Sequence, residues 1–301
     1  MTTNTHPAPL PWPARLVRAY CHSMPLQRGK MRLLRWAARR CLATGIAQRR
    51  APLRCGYQIH CDLSGLIQQQ LLFSGTYLVE QQQLADWRRQ AKTSRTIVDV
   101  GANLGIYSLE ACAANPLAEV LAIEPTPSLV QQLRQTLAIN QIQHLDVLQA
   151  ALGCAVGHAL LQFCDGMPAP GSAGNEGMNF ITSAAAGAAR TIPVALTTLD
   201  RVAARRGWSA VDLIKIDVQG QEAAVLKGAR LLLARQAIHC LFIELNGLGC
   251  GEAGDQVIRI LQGHGYGFRP AGRCRWALGR PGPWLADCSD VVAMPLAGCS
   301  P

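Results

Sequence analysis

The sequence predicts an α/β fold built on a doubly wound, mostly parallel sheet. Three observations carry that expectation. Apolar strand-like runs alternate with helical patterns from residue 96 onward, and the first run breaks into a small-residue turn, "VDVGANLG", before a helix. The last two runs, "YGFRPA" and "DCSDVVAMP", have no helical crossover between them and so finish the sheet as an antiparallel pair.

The elements follow in order. Strands are expected at 96–100, 119–123, 145–149, 211–217 and 239–245, separated by helices at 104–114, 127–140, 222–235 and 253–263. Between about 150 and 195 two short strand-like runs, "HALLQF" and "TIPVAL", flank a long loop rich in Gly, Ala, Ser and Pro. A loop of that length in a compact domain suits acceptor recognition. Within it Asn179 and Phe180, near Asn175 and Met178, pair an amide with a ring, a combination suited to a sugar face. Upstream, residues 57–90 read as a short strand and two helical pieces divided at Gly75, the first capped by Asp62-Leu63-Ser64.

A chain of 301 residues accommodates one large domain, or one domain and a small appendage. No stretch approaches the ~18–20 apolar residues of a membrane span. The first twenty residues place Pro and Arg where a signal peptide has its apolar run, so the expected location is the cytoplasm. The twelve cysteines are scattered with no Cys-x-x-Cys pair, and the seven histidines include no His-x-x-x-His. That spacing suits reduced, buried thiols rather than a disulfide framework or a zinc site.

The net charge of +10 is unevenly placed: eleven Lys or Arg and no acid precede Asp62, whereas the remainder carries eighteen basic and nineteen acidic residues. Residues 1–56 therefore form a basic N-terminal arm, with an irregular Pro-rich tail at 1–25 that holds a short helix at 13–21. Residues 57–301 form the main domain. In "GKMRLLRWAARRCLATGIAQRR" the positions Met31, Leu34, Ala38, Cys41 and Leu42 recur at helical spacing, opposite Arg32, Arg35, Arg39 and Arg40. Such a helix either packs with a solvated basic face or is drawn to an anionic membrane surface or an acidic polymer, which would make the protein peripheral at the inner membrane face. Nucleic acid is disfavoured, because Trp36 is the lone aromatic interleaved with these charges.

The turn at 101–105 carries the cofactor reading. A strand running into Gly-Ala-Asn-Leu-Gly and then a helix sets N–H groups beside a turn of little bulk, where a ligand can lie against Gly101 and Gly105. On this reading Gly101→Val abolishes ligand binding and leaves the fold intact. The next strand ends at Glu124, placed to accept hydrogen bonds from a ribose diol. NAD and S-adenosylmethionine both suit a Rossmann-like plan of this kind. Asn103, however, stands where the dinucleotide fingerprint has its second glycine, and Asp99 repels phosphate but suits a cationic amino acid moiety. A ligand with a ribose, an ammonium and no phosphate is S-adenosylmethionine.

Over about residues 57–295 the sequence resembles the FkbM family of class I S-adenosylmethionine-dependent methyltransferases, through "VDVGANLGIYS", "AIEPTP", "TTLD", "VDLIKIDVQGQEAAVLKGA" and "FIELN". The resemblance implies a seven-stranded sheet with its last strand antiparallel, and methyl transfer to a hydroxyl of a saccharide, glycolipid or secondary metabolite. It assigns Asp99, Gly101, Asn103, Gly105 and Glu124 to the cofactor pocket and sets Ala150 and Ala151 beside the adenine. Gln219 stands where the family has an acid; Asp217 and Glu222 are retained.

An alcohol acceptor must lose its proton, and Asp217, at the end of the fourth parallel strand, is the candidate base or acceptor-orienting group. Glu222 suits the first turn of the helix that follows it. Lys215, inside a buried strand, suits a pairing with an acid. Glu244 and Asn246, at the end of the next strand, would with Asp217 offer oxygen ligands to Mg²⁺ if a divalent ion is used. The rival to an enzyme is a catalytically silent methyltransferase-like module anchored by its basic arm, with Gln219 as the mark of lost chemistry.

Overall fold

The computed structural model describes residues 9–24, 29–163, 180–182, 191–245, 252–273, 278–280 and 289–296. The chain divides into two compact units, with the first boundary at Gln81.

The N-terminal unit begins with α1 (Trp12–Ser23) and α2 (Lys30–Ala43), followed by the hairpin of β1 (Gln48–Pro52) and β2 (Gln58–Asp62) and then α3 (Leu66–Ser74). This hairpin pairs residues on both sides of position 56, which is why the compact unit extends beyond the basic arm. The basic helix expected from the Met31–Leu42 spacing ends at Ala43: Thr44 Oγ1 donates to the Cys41 carbonyl, Gly45 turns left-handed at φ 79°, and the chain re-enters as a strand. Leu34, Ala37, Ala38 and Cys41 are buried on α2, whereas Leu42 is exposed.

Two of the basic residues have structural work. Lys30, 1% exposed, donates through Nζ to the carbonyls of Cys21 and Met24. Arg54 donates to Cys21, His22 and Ser74 carbonyls. Both satisfy acceptors that the C-terminus of α1 leaves open, where positive charge is also favoured by the helix dipole. Gly75 ends α3 in the left-handed conformation, as its place in the sequence suggests. Asp62 does not cap α3; its Oδ1 accepts from Ser64 N in a local turn one step earlier.

The larger unit starts with α4 (Gln81–Ala91) and then alternates strand and helix: β3 (Thr96–Val100), α5 (Ile106–Ala114), β4 (Glu119–Ile123), α6 (Pro127–Asn140) and β5 (Leu145–Leu148). A small sheet interrupts, formed by β6 (Ala151–Leu152), β7 (Gly157–Gln162), β8 (Phe180–Thr182) and β9 (Thr191–Thr197) in the order β6-β9-β7-β8. Alternation resumes with α7 (Leu199–Arg206), β10 (Leu213–Ile216), α8 (Glu222–Lys227), α9 (Arg230–Ala234), β11 (Leu241–Glu244), α10 (Glu252–Gly263), β12 (Tyr266–Pro270) and β13 (Asp290–Pro295).

The main sheet has seven strands in the order β12-β13-β11-β10-β3-β4-β5. Pairings from β5 to β11 are parallel, and β13 runs antiparallel to both β11 and β12. The order doubles back at β3 and β10, so their carboxyl ends open on the crevice where such sheets take ligands. Val98, Val100, Leu121, Ile123, Ile214, Ile216 and Ile243 are buried in one apolar core with α7, α8 and α10. A buried carboxylate–guanidinium pair, Asp86 of α4 and Arg269 of β12, fastens the far edge, and Gly272 N adds a third donor to Asp86.

The single helix predicted at 222–235 is two. It breaks at Gly228 because a Cβ there would lie 2.0 Å from the carbonyl oxygen of Gly153, so the chains meet backbone to backbone. The second piece, α9, is then capped by a remote residue: Asp200 accepts from Leu231 N and Leu232 N at 2.9 and 3.1 Å. Asp200→Ala is expected to lower stability by about 1 kcal/mol in urea unfolding, with Asp200→Asn recovering most of it. Equal midpoints for Asp200→Ala and the parent would remove the cap from the account.

Candidate active site

The crevice is built from two turns, one after β3 and one after β10. Register sets them side by side: Val100 pairs with Ile216, and Ile216 pairs with Ile243, so Asp217 and Glu244 follow one residue later on neighbouring strands.

In the first turn Asp99 is 1% exposed. Its Oδ2 accepts from both Ser108 N (3.0 Å) and Ser108 Oγ (2.7 Å), while its Oδ1 is buried with no hydrogen-bond partner. Burial raises its carboxyl above the ordinary range, and Lys215 and Ser108 offset this only in part. Asn103 holds a left-handed backbone at φ 51°, and its side-chain oxygen is likewise buried without a partner. Glu124, also buried, accepts from Asn103 N through Oε2 (2.9 Å) and from Thr126 N through Oε1 (2.8 Å). Burial drives its carboxyl upward as well. Ala150 is brought next to it: the Leu148 carbonyl accepts from both Glu124 N and Ala150 N at 3.1 Å.

Two expectations change here. Four of the turn's five N–H groups are already engaged, Gly101 and Ala102 donating to the Ile123 carbonyl, Asn103 to Glu124, and Gly105 to Ala102. The glycine requirement also arises within the fold. A Cβ on Gly101 would lie 1.9 Å from the carbonyl oxygen of Asp217, and Gly101 sits at φ 74°. At Gly105, also left-handed, a Cβ would press on Leu133 Cδ1 at 2.4 Å. What the turn offers a ligand is acceptors in an acidic setting. That fits a cationic group and hydroxyl donors, and it opposes phosphate.

The second turn gathers Lys215, Asp217, Gln219 and Glu244. Lys215 Nζ lies 2.6 Å from Asp217 Oδ2 and 4.6 Å from the centroid of the Tyr107 ring. Gln219, left-handed at φ 54°, donates its amide to both Asp217 Oδ1 (2.9 Å) and Glu244 Oε2 (3.0 Å). Burial alone would raise the Asp217 carboxyl. The Lys215 charge and the hydrogen bonds from Glu244, Lys215 and Gln219 outweigh it and hold Asp217 at about 2. Glu244 moves the other way, pushed up to about 9 by burial, by the Asp217 charge and by Asp290. The pair thus holds one proton through neutral pH. Asp217 by itself is a weak base, and the second ionisation belongs to the pair.

Glu222 serves the loop, accepting from Val218 N and Gly220 N at 3.0 and 3.1 Å. Lys215 takes the acid pairing its buried strand position suggests. Tyr107 and Ser108 are contributors that sequence reasoning left unassigned, although both lie inside the "VDVGANLGIYS" stretch. Tyr107 is itself seated by Trp87, whose Nε1 donates to the Tyr107 carbonyl and whose ring meets the Tyr107 and Phe242 rings edge-on at 5.3 Å.

Among the described residues no three His, Cys, Asp or Glu side chains gather as a metal ion would require. Lys215 and Gln219 each bond one Asp217 oxygen, which leaves a lone pair on each. Asn246 and Asn179, with Asn175 and Met178, lie outside the described residues. Phe180 belongs to β8, not to a loop, its backbone paired with Gln162.

A seven-stranded sheet of this order, with β13 reversed and an acid-lined turn after its central strand, is the class I methyltransferase fold. The family model described as "Methyltransferase FkbM domain" matches residues 99–269, and the chain belongs to that family. A relative from Sordaria araneosa, "Methyltransferase sdnD", is 31% identical over 153 residues, which cover 44% of this chain and 59% of the relative. Among solved structures, a SAM-dependent methyltransferase from Agrobacterium tumefaciens is similar at a TM-score of 0.44, with 11% identity over 83% of this chain and 70% of that one. Precorrin-6y C5,15-methyltransferase from Geobacter metallireducens GS-15 is similar at 0.38, with 12% identity over 71% of this chain and 86% of that one.

Proposed function

We propose that this chain is an S-adenosylmethionine-dependent O-methyltransferase acting on a hydroxyl of a saccharide, glycolipid or secondary metabolite. The observation that carries the reading is the acid-lined turn with two buried acceptors lacking donors, Asp99 Oδ1 and Asn103 Oδ1, one strand away from a carboxylate pair. Family membership supports the methyl-transfer part of it.

S-adenosylmethionine, when bound, supplies a methyl group on a positively charged sulfur that an oxygen nucleophile displaces. Asp99 and Asn103 would hold its donor groups, and Glu124 keeps a lone pair on each oxygen for a ribose hydroxyl. Asp217 accepts the acceptor's hydroxyl hydrogen, and Gln219 holds Asp217 and Glu244 at a common geometry. The pair can take up the hydroxyl proton once Glu244 has released the one it holds, so that it again carries a single proton after transfer. Lys215 balances the charge that remains.

Isothermal titration with S-adenosylmethionine is expected to show binding in the micromolar to sub-millimolar range, lost in Asp99→Ala. A folded chain that shows no heat under these conditions would overturn the reading. Binding without methyl transfer to any hydroxyl-bearing acceptor would favour the silent-module alternative.

A further inference from the structure

The outer faces of α1 and α2 combine exposed apolar side chains with cations, and neither property is needed by the hairpin they form. Trp12 and Leu16 are 72% and 61% exposed on α1, with Leu33 and Trp36 at 40% and 43% on α2. They are spaced four and three residues apart, so each pair shares one face of its helix. Arg15 stands beside the first pair, and exposed Arg32, Arg35, Arg39 and Arg40 surround the second. The cations that hold the unit together, Lys30 and Arg54, are different ones. No acid occurs before Asp62, so this segment offers no charge of its own to offset the arginines. Along α1, Leu10, Arg15, Arg18, Ala19 and His22 also line an open basin of about 390 Å³.

We infer that this face of the N-terminal unit docks on an anionic lipid bilayer, with Trp12, Leu16, Leu33 and Trp36 entering the interface and the arginines meeting lipid phosphates. Leucine and tryptophan together distinguish lipid from nucleic acid: a base stacks on an aromatic ring or a guanidinium plane but gains nothing from an exposed leucine. Arginines next to inserted apolar side chains extend their stems along the acyl boundary while the charge stays at the headgroups. Among the described residues no helix is long and apolar enough to cross a membrane, so this contact lies on the surface.

The test is co-sedimentation of the full chain with phosphatidylcholine vesicles made with and without phosphatidylglycerol. Binding is expected with the anionic lipid only, and it weakens with salt. The double variant Trp12→Ala with Trp36→Ala lowers partition at least about tenfold, as does Arg32→Glu with Arg35→Glu. Both variants keep the parent's circular dichroism and its S-adenosylmethionine affinity, which separates this contact from the cofactor reading. Quenching of tryptophan fluorescence by brominated phospholipid checks insertion in the unsubstituted chain. Absence of uptake by anionic vesicles would overturn the inference. So would binding indifferent to both double variants, retention on RNA without vesicle uptake, or self-association that covers the tryptophans.

Discussion

Gly101→Val is expected to destabilise the folded chain by about 2–5 kcal/mol. Two costs combine. A β-branched residue at φ 74° sits in the left-handed region at roughly 1–2 kcal/mol, and a Cβ 1.9 Å from the Asp217 carbonyl oxygen forces one backbone off another at about 1–3 kcal/mol or more. The obstruction is backbone, so no rotamer relieves it. Urea unfolding reads the effect directly. A variant with the parent's midpoint and no cofactor binding would return the requirement for glycine to the ligand. The contact also has a positional meaning: the absent side chain lets the β3 turn rest on the β10 turn, and it sets Asp217 against the cradle that begins at Asp99.

Asp217→Asn is expected to slow turnover by about 10² or more while sparing cofactor affinity. Its second signature is in the pH profile. The parent pair releases its remaining proton near the value to which Glu244 is pushed, about 9, and turnover should climb as that proton leaves. With the Asp217 charge removed, one cause of the Glu244 elevation is gone, and the limb should move acidward. Glu244→Gln should erase the limb altogether. Unchanged turnover, or a limb still near 9 in Asp217→Asn, would remove the pair from the mechanism. Stability gives an independent check with a definite sign. The folded state keeps a proton on Glu244 that the unfolded chain releases above about 4.5, so the folded chain loses stability as pH rises from there toward about 9. In Glu244→Gln the share of that loss owed to Glu244 should vanish, leaving the part contributed by Asp99 and Glu124, which burial also raises.

The parallel core of the fold was legible because its signals are local. Apolar runs of four or five residues, helical spacing between them and small residues at the β3 turn all lie within short windows. Asp99, Glu124, Asp217 and Glu244 were legible as acids, each within one residue of a strand's end. What escaped depends on distant partners. Gly228 breaks a helix because the Gly153 carbonyl is pressed against it, which nothing near residue 228 discloses. Gly101 looks like a ligand-facing glycine until Asp217 is seen behind it. Gln219 reads as an acid lost, yet its amide donates to two carboxylates at once, an assignment that needs the register of β10 against β11. The N-terminal strand β1, "QRRAP", carries no alternating apolar run to disclose it.

Lys215 faces two clients. It pairs with Asp217 by ion pair and lies opposite Asp99 in the register of β10 against β3. One ammonium therefore divides its influence between the donor cradle and the acceptor pair. A cation arriving beside Asp99 takes over part of what Lys215 supplied there and leaves its charge more fully to Asp217. On the proposed reading donor and acceptor affinities would then be coupled, and by thermodynamic reciprocity whatever the first ligand did to the second, the second would return in equal measure.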